Sequence, residues 1–260
     1  MTHSQQDNEA WWRDHLVKGH RLEHLARRLF PLVPAAPRCK ICFVPFAGFG
    51  LPLRFLGWSP SRKNPRLCTL CCERMPLGGA EVDIAVLFAD IRNYTTLVEQ
   101  MPGQDVATLM NRFYQAATQV LIDHDAIIDK LLGDSVMALF IPGVAGPGYR
   151  EMAVRAGEAL LRGVGYGTPE GPWLALGVGI HAGPAFVGNV GAEGVVDFTA
   201  IGDTVNVASR IQAQAAAGTI LMSEAVHAAV AGRFGELAAR ALTIKGKQEP
   251  VVVRELRPPV

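Results

Sequence analysis

Residues 88–97 read FADIRNYTTL. The segment closes an apolar run, AVLFADI, on a single carboxylate, Asp90, and then turns polar. A short apolar run bounded by a polar turn reads as a buried strand. A second carboxylate, Asp134, follows in DKLLGDSVMALF (129–140), at a Gly-Asp turn between two runs of strand-like composition. Two carboxylates at the ends of neighbouring strands can hold hard divalent cations against a polyphosphate. Further on, GDTVNVASRI (202–211) has the form of a helix start and carries Asn206 and Arg210. Their four-residue spacing puts both on one helix face. TIKGKQEP (243–250) is a basic turn between two strand-like runs. Metal ligands, polar positioning groups and cations together are what phosphoryl transfer needs.

Working outward, strands are expected near 82–90, 126–131, 135–141, 174–181, 185–190, 195–201 and 219–222, with a terminal pair near 241–245 and 250–256. Helices are expected near 104–122, 149–163, 203–215 and 223–231. The order implies an α+β body with a mixed or antiparallel sheet flanked by helices. Residues 11–30 read as an amphipathic helix, with Leu22, Leu25 and Leu29 at helical spacing and His20 and His24 one turn apart on a solvated face. Three segments follow: a helix within 1–30, a Cys-rich module over 31–80, and a body over 81–260.

Composition narrows the class. Of 260 residues, 49% are hydrophobic, enough for a sizeable core. The formal net charge of +1 gives no global pull toward nucleic acid or an anionic membrane. No apolar run approaches the ~20 residues that cross a bilayer, and the N-terminus MTHSQQDNEAWWRDH has no apolar signal core. The expectation is a soluble, cytoplasmic protein with reduced thiols. No GxxxxGK[ST] is present, which argues against a P-loop enzyme.

Cys39-Lys-Ile-Cys42 and Cys68-Thr-Leu-Cys71 are paired CxxC knuckles, and four thiolates at this spacing suit tetrahedral zinc. Iron uses the same ligand type, and a redox dithiol is a further alternative. Cys72 is a fifth thiol, either spare or competing. SRKNPR (61–66) is a short basic run of the kind zinc ribbons use on nucleic acid, though the near-zero net charge makes that partner unlikely.

In this order, FADIRNYT, KLLGDSVMALF, GVGIHAGPAFVGNVG, DFTAIGDTVNVASRI and IKGK resemble the catalytic domain of class III nucleotidyl cyclases, over roughly residues 81–256. The resemblance implies a ferredoxin-like α+β core and a homodimer with shared active sites. It also implies two Mg²⁺ or Mn²⁺ ions per site and cyclisation of a nucleoside triphosphate with release of pyrophosphate. Asp90 and Asp134 match the metal-binding aspartates, with the Ile91 carbonyl as a further ligand. Lys130 matches the base-reading lysine of the adenylyl type, which implies ATP as substrate, and Thr199 the second base-reading position. Asn206 matches the ribose-orienting residue, Arg210 the transition-state arginine and Lys245 the triphosphate lysine; Lys247 only solvates its turn. By the same resemblance, one protomer supplies Asp90 and Asp134 and the other supplies Lys130, Thr199, Asn206, Arg210 and Lys245.

Taken singly, each of these residues has an ordinary structural use, such as a cap, a turn or a surface charge. Two positions depart from the pattern: Asn93 and Tyr94 replace Gly and Phe in the first loop, and Gly177 stands where many members carry a phosphate-gripping Arg. The alternatives are a guanylyl or mixed-specificity cyclase, a catalytically silent nucleotide-binding domain, and a zinc-ribbon nucleic-acid-binding protein.

Overall fold

The computed structural model describes residues 3–18, 37–72, 75–192, 195–244, 246, 247 and 249–257. Helix α1 spans His3–Lys18 and precedes the Cys-rich segment, which contains the short helical turns Leu51–Phe55 and Thr69–Cys72. The body then runs β1 (Gly78–Ile91), α2 (Gly103–Asp123), β2 (Ile127–Leu132), β3 (Ser135–Phe140), α3 (Tyr149–Gly163), β4 (Leu176–Ala192) and β5 (Val195–Ile201). It closes with α4 (Asp203–Ala213), β6 (Ile220–Ser223), α5 (Glu224–Phe234), β7 (Ala238–Leu242) and β8 (Val251–Leu256). Of the helix expected at 11–30, α1 contains residues 11–18; His20, Leu22, His24, Leu25 and Leu29 lie outside the described residues.

The strands form one sheet in the order β2-β3-β1-β4-β6-β8-β7, with β5 paired to β4. Every pairing is antiparallel except β4 with β6. This is the mixed, mainly antiparallel α+β sheet implied above. Two expected strands, 174–181 and 185–190, are one continuous β4. Gly183-Pro184 reads as a break, because proline removes a ladder donor, yet Pro184 keeps register opposite Asp83 of β1.

Alternation along β1 divides the core. Ala85, Leu87, Ala89 and Ile91 face a layer built from Phe113, Ala117 and Leu121 of α2, Ala153, Val154, Leu160 and Leu161 of α3, and Val226 and Val230 of α5. The four-residue steps in α2 are the apolar stripe of an amphipathic helix. On the opposite side, Val82, Ile84, Val86 and Phe88 pack with Trp12 and Leu16 of α1, with Ile41, Phe46, Leu67 and Cys72 of the Cys-rich segment, and with Ala208 of α4. The Cys-rich segment therefore shares a core with the sheet.

Helix α4 also lies on this second face, and its approach depends on a glycine. A Cβ at Gly179 would sit 2.3 Å from the main-chain N and Cα of Gln212. Main-chain atoms cannot rotate away, so Gly179→Ala must push α4 off β4. The expected cost is about 1–3 kcal/mol, read as a lower denaturation midpoint. Helix α4 carries Asn206 and Arg210, so any activity that depends on those two residues is expected to fall with it. An unchanged midpoint and rate would show that the helix seat tolerates the methyl group.

Candidate active site

At the C-terminal end of β1, Asp90 lies in register between Ser135 of β3 and Gly177 of β4. The Ile91 amide donates to the Asp134 carbonyl at 3.0 Å. Asp90, Ile91 and Asp134 thus meet at one corner of the sheet. The Arg92 guanidinium pairs with the Asp90 carboxylate, and its Nη1 reaches the Ala213 carbonyl at 3.5 Å. Burial pushes the Arg92 pKa down, against the attraction of Asp134. A cation therefore already sits against this corner. Two carboxylates and a main-chain carbonyl are hard oxygen donors, the type that suits Mg²⁺ or Mn²⁺.

The loop that follows turns at Asn93, in the left-handed region at φ 58°. A short polar side chain tolerates that conformation, which accounts for asparagine where the resemblance has glycine. At Gly177 a Cβ would approach the Ala215 carbonyl oxygen to 2.9 Å. A Cβ would have to displace that carbonyl, which accounts for glycine where the resemblance has arginine.

A second polar cluster joins β2 to β5, strands that are not neighbours in the sheet. The Lys130 ammonium donates to Asp197 Oδ2 at 2.8 Å, Thr199 Oγ1 at 3.0 Å and Asp129 Oδ1 at 3.2 Å. Thr199 in turn donates its hydroxyl hydrogen to Asp129 Oδ2 at 2.8 Å. Asp129 is buried at 6% exposure, on the strand residue where the β2–β3 register slips. A bulge of this kind turns two consecutive side chains toward one side, which is how Asp129 and Lys130 reach the same cluster. Burial works against the Lys130 charge, but the Asp197 hydrogen bond and the nearby Asp129 outweigh it and raise its pKa. Burial likewise opposes the Asp197 charge, and the hydrogen bonds from Lys130 and Lys63 overcome it and lower its pKa.

Asn206 and Arg210 are both exposed on α4, while Val207, Ala208 and Ile211 are buried beneath them. Arg210 lines an open cleft with Ala213, Gln214, Ala241, Leu242, Thr243 and Ile244. Lys245, next in the chain, lies outside the described residues. Lys247 pairs with Asp203 at the first turn of α4, so it does more than solvate its turn.

Known proteins resemble this chain in sequence and fold. The adenylate and guanylate cyclase catalytic domain family matches residues 80–253, most of the chain and all of the sheet's central strands. The chain belongs to the class III nucleotidyl cyclase family. The cyclase is 32% identical to a Dictyostelium discoideum adenylate cyclase specific to terminal differentiation, over 71% of this chain and 9% of that protein. It is 31% identical to an adenylate cyclase of Anabaena cylindrica, over 71% of this chain and 39% of that one. The chain thus spans well under half the length of these two curated relatives. Among solved structures it is similar to the guanylyl cyclase Cya2, with TM-score 0.61 and 28% identity over 69% of this chain and 93% of that one. It is also similar to the adenylyl cyclase CyaB from P. aeruginosa, with TM-score 0.59 and 28% identity over 69% and 96%. No helix among the described residues is long and apolar enough to cross a membrane.

The cyclase also gathers its two cysteine knuckles. The ligand atoms of Cys39, Cys42, Cys68 and Cys71 all lie within 4.8 Å of one another, and the sulfurs of Cys42 and Cys68 are 3.7 Å apart. Four sulfurs held tetrahedrally at the zinc–thiolate bond length are roughly 3.8 Å apart, so the group fits such an ion. Hydrogen bonds from Cys42, Cys68 and Cys71 push the Cys39 thiol strongly down, against its burial. Cys72 lies outside this group, buried in the core beneath it. The basic run SRKNPR is spent internally: Lys63 pairs with Asp197, and Arg66 with Asp123 at 2.6 Å.

Asp129, Asp197 and Lys63 join the cluster around Lys130 and Thr199 with no motif to mark them. Asp129 sits in an apolar strand pattern that gives no warning of a bulge, and Lys63 reaches the cluster from 67 positions before Lys130.

Proposed function

We propose that the cyclase converts ATP to 3′,5′-cyclic AMP and pyrophosphate. The observation that carries this reading is the commitment of the Thr199 hydrogen to Asp129. Thr199 can then only accept a hydrogen bond from a ligand, while Lys130 can only donate. Adenine presents an acceptor at N1 beside a donor amino group, which matches this pair. Guanine presents N1–H beside a carbonyl and opposes both groups.

In the reaction the ribose 3′-oxygen attacks the α-phosphorus and loses its proton, and the bond to the β-phosphate oxygen breaks to release pyrophosphate. Asn206 orients the ribose, and the Arg210 guanidinium meets the charge that builds on the α-phosphate. Lys245 binds the triphosphate. Asp90, Asp134 and the Ile91 carbonyl would hold two Mg²⁺ or Mn²⁺ ions, and the chemistry such ions would supply is activation of the 3′-hydroxyl and charge neutralisation at the departing pyrophosphate. The metal corner of one protomer works with Lys130, Thr199, Asn206, Arg210 and Lys245 of a second, so the active form is a homodimer. In this reading residues 81–260 are the catalytic domain and residues 31–80 a zinc-binding module, while the amphipathic helix assigned to residues 1–30 falls partly outside the described residues. The aspartates, asparagine and arginine that a silent domain would lose are all present.

Incubating the purified protein with ATP or GTP and either Mg²⁺ or Mn²⁺, then identifying the product by mass, tests this reading. Cyclic AMP at a rate well above cyclic GMP is expected. Preferential cyclic GMP formation would overturn the base assignment, and no cyclic product in any combination would overturn the catalytic one.

A further inference from the structure

Lys63 is the least expected member of the β2–β5 cluster. It comes from the Cys-rich segment, five residues before Cys68, yet its ammonium lies 2.5 Å from Asp197 Oδ1 and 3.6 Å from Asp129 Oδ1 and also donates to the Phe198 carbonyl. Its side chain is 19% exposed. The strap that carries it is fastened to the body by main-chain and buried side-chain bonds. The Ile128 amide donates to the Lys63 carbonyl at 3.2 Å, and the buried Asn64 amide donates to the Ala126 carbonyl at 2.8 Å. The strap is fastened to the knuckles as well. Lys40 N donates to the Arg66 carbonyl at 2.8 Å, and Cys68 N to Cys39 Sγ at 3.3 Å.

The charges show what Lys63 can do there. Asp129 and Asp197 are two carboxylates, and Lys63 and Lys130 are the two ammonium groups that face them. All three Lys130 hydrogens are already directed at Asp129, Asp197 and Thr199. To donate to a purine, Lys130 must release one of those contacts. With Lys63 in place both carboxylates keep a cation when it does. Without Lys63, a buried carboxylate and its neighbour would share Lys130 alone and hold it back, since stranding such a charge is costly.

We propose that Lys63 is a positioning residue of the base subsite, compensating Asp129 and Asp197 so that Lys130 is free to bind the purine, and that the Cys-rich strap thereby sets nucleotide affinity. This rests on the assignment of Lys130 and Thr199 to the purine. It makes the cysteine module part of substrate recognition as well as of the fold.

The test compares Lys63→Met, Lys63→Arg and the double variant Lys63→Met/Asp197→Asn in the full chain. The readouts are the Kd of a non-cyclisable ATP analogue, the Kd of inorganic tripolyphosphate, and kcat and KM for ATP. Lys63→Met is expected to weaken the analogue about tenfold, the equivalent of one charged hydrogen bond, with the loss in KM and not in tripolyphosphate binding. Lys63→Arg recovers most of the affinity. The double variant also recovers it, because removing one carboxylate restores the charge balance, a rescue that a merely structural lysine would not show. Unchanged affinity in Lys63→Met, tighter binding (a lysine that blocks the pocket), or equal loss of analogue and tripolyphosphate would each overturn the proposal. A wild-type chain that binds and cyclises ATP while Lys63→Met matches it defeats this inference alone. A wild-type chain that binds no purine nucleotide defeats the base assignment as well.

Discussion

Asp90→Ala lowers kcat for cyclisation by on the order of 10³ or more, the equivalent of the several kcal/mol that a bound cation supplies to a developing phosphate charge. The expectation follows from position. Asp90 is the carboxylate that closes β1 at the corner shared with Ile91 and Asp134, and it already holds a cation in the form of Arg92. Alanine removes a hard oxygen donor and leaves the partly buried Arg92 guanidinium without its ion-pair partner. Excess Mn²⁺ is not expected to restore the rate, because the ligand itself is missing. Steady-state rates across a Mn²⁺ titration check this. A variant that keeps more than about a tenth of the wild-type kcat at saturating metal, a loss too small for a missing metal ligand, would remove Asp90 from the reaction. Arg210→Ala belongs to the same expectation, with a loss of about 10²–10³ in kcat, as for other single donors to a transition-state oxyanion.

The second large effect concerns the cysteines. Cys39→Ser with Cys68→Ser is expected to take the bound metal from about one ion per chain to none. Both residues are fully buried, and Ile41, Leu67 and Cys72 beside them share one buried cluster with Trp12 of α1 and Ile84 and Val86 of β1. Losing the clamp therefore loosens a face of the core as well as a loop. Only part of the binding energy of such a site is needed to lower Tm by roughly 10 °C in a domain of this size. Elemental analysis and a thermal scan check both halves. Full metal content in the double variant, or a metal-free wild type with the same Tm, would mean that the four thiols are packed but not ligating.

The fold was largely legible because its signals are local. The apolar runs of β1 and β3, the four-residue stripe of α2 and the Asn206–Arg210 spacing each report their own element. The failures have identifiable physical causes. Gly183-Pro184 reads as a strand end, yet β4 passes through it, with Pro184 in register opposite Asp83 and between the stretches of β4 that pair with β6 and with β5 on the other side. The β2–β5 cluster was half legible: Lys130 and Thr199 carry a motif, while Asp129 depends on a register slip and Asp197 on a cross-sheet approach. Lys63 reads in the sequence as one residue of a basic run, because charge alone does not reveal whether a lysine faces solvent or a carboxylate 2.5 Å away.

In the proposed dimer, one catalytic centre draws its acids from one subunit and its asparagine, arginine and purine-binding lysine from another. Mixing Asp90→Ala protein with Arg210→Ala protein tests it most directly, since each is inactive alone and a mixed pair contains one intact centre. Activity that rises on mixing, toward about a quarter of wild type when half of the randomly paired dimers are mixed and each has one working site of two, is the predicted result. A mixture as inactive as its components, under conditions where subunits demonstrably exchange, would rule out a centre shared between subunits.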